Sequence, residues 1–524
     1  MITLIRLGIS KNVMKNILLI FLFFCCSILT TAQTYFNERY NLYYTEGLDF
    51  AHNIIEFDSG YIIAGGCARE NQDYRLEVVL SKLNSIGQLV NSKAINDDTW
   101  SYDIGPDGSV KHNNNNEITA VGARRRSTGS FVRDEGVIYK FSYDLDTLWT
   151  RTIGDNQFPD DTNYQFRGLE VLPNNELIIA GHIIVDGATS KALLIKTDSL
   201  GNELWRKYYN NGPINIGVDV ISTPDNGFVI SCYLWTFGTH QISAPYIVKT
   251  DSLGNEQWRH YINWLDQLHG EMSIINSPDS TIIGVYSYSD SVGYPSSDSY
   301  NRITLIKLDL EGELIWEKKY GTAEFNNYVK SLKINDNGKV IMAGIKYSPF
   351  PHRIGYMQNC DTNGDLLWYR EYENLIEYDS YNFMNGVTPT NDGGYIGVGD
   401  VLPYPPDIGN QDVWLIKVDS MGCESWNDCW VGETEHIALR NEEKLVIYPN
   451  PASRAINIFI PKENESETHN LVIFDIYGRK VEETEVGMGE TTISFNVTGW
   501  KDGLYTVITS YNRKISGRGK FVVN

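Results

Sequence analysis

The sequence predicts an all-β chain: a seven-bladed β-propeller followed by a small C-terminal immunoglobulin-like β-sandwich. Three observations carry that expectation. The stretch Lys196-Thr-Asp198-Ser-Leu-Gly201-Asn-Glu-Leu-Trp205 recurs from Lys249 to Trp258 and from Lys307 to Trp316, with reduced copies ending at Trp368 and Trp426. Ahead of each copy stands a turn of Asn, Asp or Gly and then a short apolar strand, as at 58–65, 116–122, 175–181, 225–231, 279–284, 336–344 and 392–399. Tyr (33 residues) and Trp (12) are abundant, which suits strands better than helical bundles. A repeat of blade length that runs through most of the chain argues for a propeller over two sandwiches in tandem.

The first element, residues 1–32, reads as an address. Lys11 and Lys15 precede an apolar run from Ile17 to Leu29, and Thr30, Thr31 and Ala32 then offer small residues to a signal peptidase. The run is too short to span a bilayer comfortably and has the layout of a secretory signal. Cleavage is expected after Ala32, with translation starting at Met1 or Met14. Export permits disulfides. Cys423 and Cys429 flank one short segment and are expected to pair, whereas Cys67, Cys232 and Cys360 fall in or beside predicted strands as small buried hydrophobes.

Residues 33–430 are assigned to the propeller. The Trp anchors at 149, 205, 258, 316, 368 and 426 recur at intervals of 52–58 residues. Each repeat reads as four strands, typified by 218–222, 228–231, 246–249 and 257–261. In the third-to-fourth hairpin Asp caps the turn, Gly accepts positive φ, and Trp is expected to pack between neighbouring blades. Lys140 to Trp149 is a degenerate copy with Asp146 read at the glycine position, and Lys82 to Leu89 keeps Gly87 but lacks the Trp. Ring closure has two candidates: the segment 35–40, which resembles 205–209, and the segment 424–428.

With this strand order, the short turns lie on one face and the long, varied loops on the other, which makes the second face the expected binding face. Trp235, Tyr288 and Tyr404 are the candidate ligand-binding residues there, since aromatic side chains on a rim suit a sugar, a peptide or a cation. No catalytic motif and no Cys/His zinc spacing occurs, and no cofactor is expected. Ca²⁺ near Asp160 and Asp161, or near Asp290 and Asp298, is the single metal option. The cluster Arg124-Arg125-Arg126 is expected to be solvated or paired with local carboxylates. The formal net charge of −22 argues against nucleic acid.

A charged linker is assigned to residues 431–444 and a small sandwich to residues 445–524, where short alternating strands follow one another. Its marks are Tyr448-Pro449-Asn450-Pro451, the turn at Asp475 and Gly478, the strand with Gly503 and Tyr505, and Lys520-Phe521 near the end. In combination these residues resemble the type A C-terminal sorting domain of the bacterial type IX secretion system. The resemblance implies Sec export through the periplasm, recognition by the outer-membrane translocon, and delivery to the cell surface or the medium. The Asp-x-x-Gly-x-x-x-Trp hairpin also resembles the tryptophan-docking repeat of pyrroloquinoline-quinone enzymes and related non-enzymatic propellers. It lacks that repeat's Ala and Thr-Gly pair, so no quinone is expected. The functional expectation is a secreted or surface propeller that binds glycan, peptide or protein without catalysis. A secreted polysaccharide hydrolase or lyase is the alternative.

Overall fold

Runs such as Leu177-Ile-Ile-Ala-Gly181 bury every side chain because they form middle strands, covered on both faces by neighbouring sheets. The pattern repeats along the chain. In the fourth unit Ile214–Ser222, Phe228–Trp235, Ser243–Thr250 and Glu256–Tyr261 pair in order as an antiparallel sheet. The computed structural model describes residues 34–425 and 443–524, apart from 44–46, 58–59, 70–74, 97–98, 114, 129–130, 155–162, 186–188, 211, 237–242, 263–268, 290–300, 322–324, 348–351, 376–379, 403–410, 460–468, 476–478, 488–491 and 512–513. The expected signal segment 1–32 and most of the expected linker lie outside these residues. The described residues form two compact units that divide after Ser425.

The first unit is a β-propeller. Its innermost strands are Gly47–Phe57, then Ser101–Ile104 with Val110–His112, Asn163–Val171, Ile214–Ser222, His269–Asn276, Asn326–Ile334 and Tyr381–Pro389. Each opens a sheet of hairpin-connected strands, and the sheets of the last two join through one parallel bridge, Arg353 to Tyr381. Neighbouring inner strands pack side by side, and the first packs against the last, which closes the ring. The apolar cores lie between adjacent sheets. Ile178, Ala180 and Leu194 meet Val220, Ile230 and Val248 in one of them. Ile54, Ile63 and Val79 meet Ile396, Val398 and Leu415 where the ring closes. At about 25 cal/mol per Å² of apolar surface removed from water, these seams hold the blades together.

The structure decides the closing strand. Phe36–Tyr40 pairs antiparallel with Asp412–Val418, from Phe36 opposite Lys417 to Tyr40 opposite Val413. The N-terminal segment is therefore the outermost strand of the last sheet. Cys423 is disulfide-bonded, while Cys429 lies outside the described residues. Cys67, Cys232 and Cys360 are buried thiols in strands, as expected.

The C-terminal unit stacks a five-stranded sheet on a three-stranded one. Ile456 and Ile458 of the smaller sheet share a core with Leu471, Val507 and Phe521 of the larger. Asn450 stitches the Tyr-Pro-Asn-Pro segment to the last strand: its Nδ2 donates to Lys520 O at 3.2 Å, and its Oδ1 accepts from Val522 N at 2.9 Å. The peptide bonds before Pro449 and Pro451 are cis. Tyr505 stacks on Phe521 with ring centroids 5.4 Å apart and donates its hydroxyl to Lys501 O at 2.7 Å. Asp475 Oδ1 accepts from Arg479 N at 3.0 Å and so fixes its turn. Gly478 lies outside the described residues, and Gly503 opens the strand Gly503–Tyr511.

Candidate functional site

The short-turn face is structural, and its residues show why. Asp198 Oδ1 accepts from Leu200 N at 2.9 Å and from Asn202 N at 2.8 Å; Asp251, Asp309, Asp361 and Asp419 repeat this cap. The following glycine takes positive φ and brings its backbone against the outer-strand Trp of the preceding sheet. A Cβ on Gly254 would stand 2.7 Å from the Trp205 ring, and one on Gly312 would stand 2.8 Å from Trp258. Tyr209 adds a hydroxyl bond to Gly254 O at 2.7 Å, and Tyr372 one to Gly422 O at 2.8 Å. The closing strand reproduces the device, with Phe36 against Gly87 and Tyr40 donating to Gly87 O at 2.6 Å. In the degenerate second copy the positive φ falls on Leu145, at 67°, and not on Asp146. The turn is set by backbone hydrogen bonding from Leu145 N to Ser142 O, so the residue in that slot takes the conformation even without being glycine.

The opposite face holds a cavity of ≈ 390 Å³. Its polar wall is made by His52, Asp103, Arg125, Asp134, Gln165 and Arg167, contributed by the first three sheets. Asp103 lies at the start of an inner strand, Arg125 near the end of a second strand and Asp134 near the start of a third strand. All three positions belong to the end of the blade that carries the long loops. Arg125 forks onto Asp134 through two bonds of 2.7 Å, and Gln165 Nε2 donates to the same carboxylate at 2.8 Å. Arg124 pairs with Glu135, so two arginines of the cluster are tied to local carboxylates while Arg126 is exposed, in line with the expectation of a solvated or paired cluster. Arg167 reaches from the third sheet to Glu271 on the fifth.

A polar plug closes the centre beneath this cavity. The inner strand of the second sheet breaks between Ile104 and Val110, and Gly105-Pro-Asp-Gly-Ser109 turns toward the axis. Asn53 of the first sheet binds it three ways: Nδ2 donates to Gly105 O and to Ser109 Oγ, both at 3.1 Å, and Oδ1 accepts from Gly108 N at 3.1 Å. Asp107 accepts from Ser331 Oγ at 2.6 Å and pairs with Lys333, both on the sixth sheet. Gly105 and Pro106 form part of the cavity floor.

Burial sets the charge states here. Desolvation, reinforced by Lys330 and Arg167 and opposed by Asp107, pulls His52 down to about 4, so its imidazole is neutral at pH 7. Its Nδ1 is buried and has no hydrogen-bond partner, and the same holds for Arg167 Nε. Asp103 is open to the funnel yet ringed by protein, and desolvation raises its carboxyl despite Arg125 and Arg167 nearby. The cavity thus presents paired charges and fixed donors and acceptors, while the two unsatisfied nitrogens are buried within its wall.

The residues singled out by sequence lie elsewhere. Trp235 ends its strand on the long-loop side and is 39% exposed. Tyr288 is only 7% exposed and sits inside its blade, between His269 and the Lys319 ammonium 4.8 Å above its ring. All eight residues of Ile282–Ser289 are buried, because a middle strand is covered on both faces, and Tyr288 follows its neighbours inward. Tyr404 and the four aspartates considered for Ca²⁺ lie outside the described residues. Among the described residues no group of three or more His, Cys, Asp or Glu side chains is placed to hold a metal ion. Apart from Arg125, which falls in the arginine cluster, the cavity residues escaped sequence reasoning because they stand in ordinary strands without a motif. The plug did leave a signal, a Pro-Asp-Gly turn at 106–108 just ahead of the apolar strand 116–122.

The secretion system C-terminal sorting domain family matches residues 446–524. Export to the cell surface or the medium follows, as does interaction with the secretion machinery. No curated protein matches the chain. Among solved structures, it is similar to a polysaccharide lyase, an ulvan lyase bound to -[GlcA(1-4)Rha3S]-, at 6% identity and TM-score 0.46 over 75% of this chain and 98% of that one. It is also similar to an α-L-arabinofuranosidase from Fusarium graminearum, at 12% identity and TM-score 0.38 over 59% of this chain and 91% of that one. A third is the β-propeller domain of the trilobed protease from Pyrococcus furiosus, at 12% identity and TM-score 0.38 over 74% of this chain and 99% of that one.

Proposed function

We propose that this chain, carried out of the cell by its C-terminal sorting domain, is an extracellular recognition protein whose propeller takes a short segment of glycan in its central cavity. The polar cavity under the long-loop face carries the reading. Its volume of ≈ 390 Å³ lies in the lower part of the range of about 300–1,000 Å³ typical of small-molecule sites. Its charges are largely cancelled in pairs, Arg125 with Asp134 and Arg167 with Glu271. Such a wall offers directional hydrogen bonds without a strong net field, which suits hydroxyl-rich ligands better than free ions. Arg125, Gln165 and Arg167 line the wall with donor-bearing side chains. Trp235 on the same face is the proposed rim contact.

A second reading, a secreted hydrolase or lyase, is favoured by one observation. A neutral His52 and a carboxyl of raised pKa, Asp103, line the same cavity, and groups shifted in this way serve acid–base chemistry. One experiment separates the two. The secreted protein is titrated against an array of polysaccharides while released reducing ends and unsaturated products are assayed in the same wells. Saturable binding without product, weakened at least tenfold by Arg167→Gln, is the expected result. Product release abolished by His52→Ala or Asp103→Asn would replace recognition with catalysis.

A further inference from the structure

A cluster of one arginine and two tyrosines lies at the long-loop ends of the strands, at the seam between the sixth and seventh sheets. Arg353 begins the third strand of the sixth sheet, Tyr347 ends its second strand, and Tyr381 begins the inner strand of the seventh. The Arg353 guanidinium carbon lies 3.6 Å from the Tyr347 ring centroid and 4.8 Å from that of Tyr381. Tyr328 backs Tyr347 at 4.9 Å, and Phe383 backs Tyr381 at 5.8 Å. All three residues of the sandwich are part-exposed.

The backbone around this sandwich is pinned. Arg353 N donates to Ser380 O at 3.2 Å, and Asn382 Nδ2 donates to Arg353 O at 3.3 Å. Asn382 Oδ1 accepts from Asn374 N at 2.9 Å. Two rings and three strand ends thus fix the guanidinium plane. Yet among the described residues no carboxylate or carbonyl accepts from its N–H groups, although acidic residues outnumber basic ones by 66 to 44. Three arginines of this face do have carboxylate partners: Arg124 with Glu135, Arg125 with Asp134 and Arg167 with Glu271. A planar fork held rigid, with no acceptor among the described residues, has the geometry that takes an oxyanion edge-on, by two charge-assisted bonds.

We propose that Tyr347, Arg353 and Tyr381 form a second subsite, which binds the carboxylate or sulfate group of an acidic sugar. The assignment rests on the glycan reading above and adds a substrate class to it. The chain's net charge of −22 repels a polyanion at long range, so attraction must be local. At physiological salt the screening length of about 8 Å confines that repulsion. The flanking tyrosines present apolar faces beside the fork, where a sugar ring can stack.

The test uses the full secreted protein and three probes: oligogalacturonate for carboxylate, carrageenan oligosaccharides for sulfate, and cello-oligosaccharides as the neutral control. The wild type is expected to bind at least one acidic probe more weakly as salt rises. Arg353→Gln is expected to lose about 10–100-fold in affinity for that probe, the worth of a charge-assisted bidentate contact, with cello-oligosaccharide binding unchanged. Arg353→Lys keeps the charge but not the fork, so it should recover only part of the loss. Melting temperatures of both variants separate misfolding from lost contact. Wild-type affinity in Arg353→Gln, or failure of the wild type to bind either acidic probe, would overturn the subsite. Arg167→Gln reads the cavity separately: loss there with Arg353→Gln unaffected would sink the second subsite and leave the cavity reading standing.

Discussion

Two buried carboxyls sit where the ring closes. Asp49 of the first sheet is fully buried, its Oδ2 accepting from Leu42 N at 3.2 Å and its Oδ1 left without a partner. Asp400 of the last sheet accepts from Asn385 Nδ2 at 2.7 Å and Gln411 Nε2 at 3.0 Å. Desolvation raises each to about 7, against an unperturbed 3.8. Between those values the unfolded chain has already released protons that the folded chain retains. Raising the pH from about 4 to about 7 therefore favours unfolding, and each tenfold difference in proton affinity between the two states is worth about 1.4 kcal/mol. The denaturation midpoint of the protein should fall through that window. Asp49→Asn should flatten part of the fall, because the amide does not titrate. An unchanged slope in Asp49→Asn would show that this carboxyl is ionised in the folded state.

At the scale of the strand and its hairpin, one chemical device is used repeatedly. The Asp cap, the glycine of positive φ and the Trp of the neighbouring sheet act together, so the cost of altering the glycine depends on what faces it. Gly254 has φ 75° and meets the Trp205 ring, whereas Gly393 has φ 84° and nothing within 4 Å of an added Cβ. Gly393→Ala should cost only the left-handed backbone penalty, about 1–2 kcal/mol. Gly254→Ala must also displace a Trp wedged between blades, which adds about 1–3 kcal/mol. Chemical denaturation of the two variants measures the difference directly, and equal losses would mean that the Trp yields without strain. The lysines of the third strands follow a similar rule of position. Lys249, Lys307 and Lys417 are buried and each reaches an aspartate in the first turn of its own sheet: Asp225 at 2.7 Å, Asp279 at 2.6 Å and Asp392 at 2.8 Å. These pairs satisfy charges that the repeat has taken out of water.

At the scale of the whole propeller, two long-range connections hold the ring. One is the N-terminal strand, which supplies the last sheet's outer edge and docks Phe36 and Tyr40 on the first sheet. The other is the plug, which ties the second sheet to the first and, across the axis, to the sixth. Removing residues 34–42 deletes the first connection and exposes the edge of Asp412–Val418 to solvent. The truncated protein should melt earlier and show early hydrogen exchange confined to the first and last sheets. Uniform exchange over all sheets would instead point to a ring whose blades unfold as one unit whether or not the strand is present.

The repeat, the hairpin chemistry and the sorting domain are all legible in the chain before it folds. Each of these is local: a period of 52–58 residues, an Asp-x-x-Gly turn and a run of marked positions after residue 445 all lie within short stretches of chain. Both closing segments, 35–40 and 424–428, are visible there too, but without a choice between them. Closure of the ring makes that choice, through the pairing of Phe36–Tyr40 with Asp412–Val418 and the docking of Phe36 at Gly87. The cavity and the Arg353 fork were equally out of reach. His52, Asp103, Asp134 and Arg167 come from three sheets, and Arg353 meets Tyr381 across a seam, so no window of sequence contains either constellation. Aromatic content drew attention to Tyr288, but a middle strand buries whatever it carries. Sites in a ring of repeats form where different repeats converge on the axis or on a seam, and convergence is a property of closure, not of any one repeat.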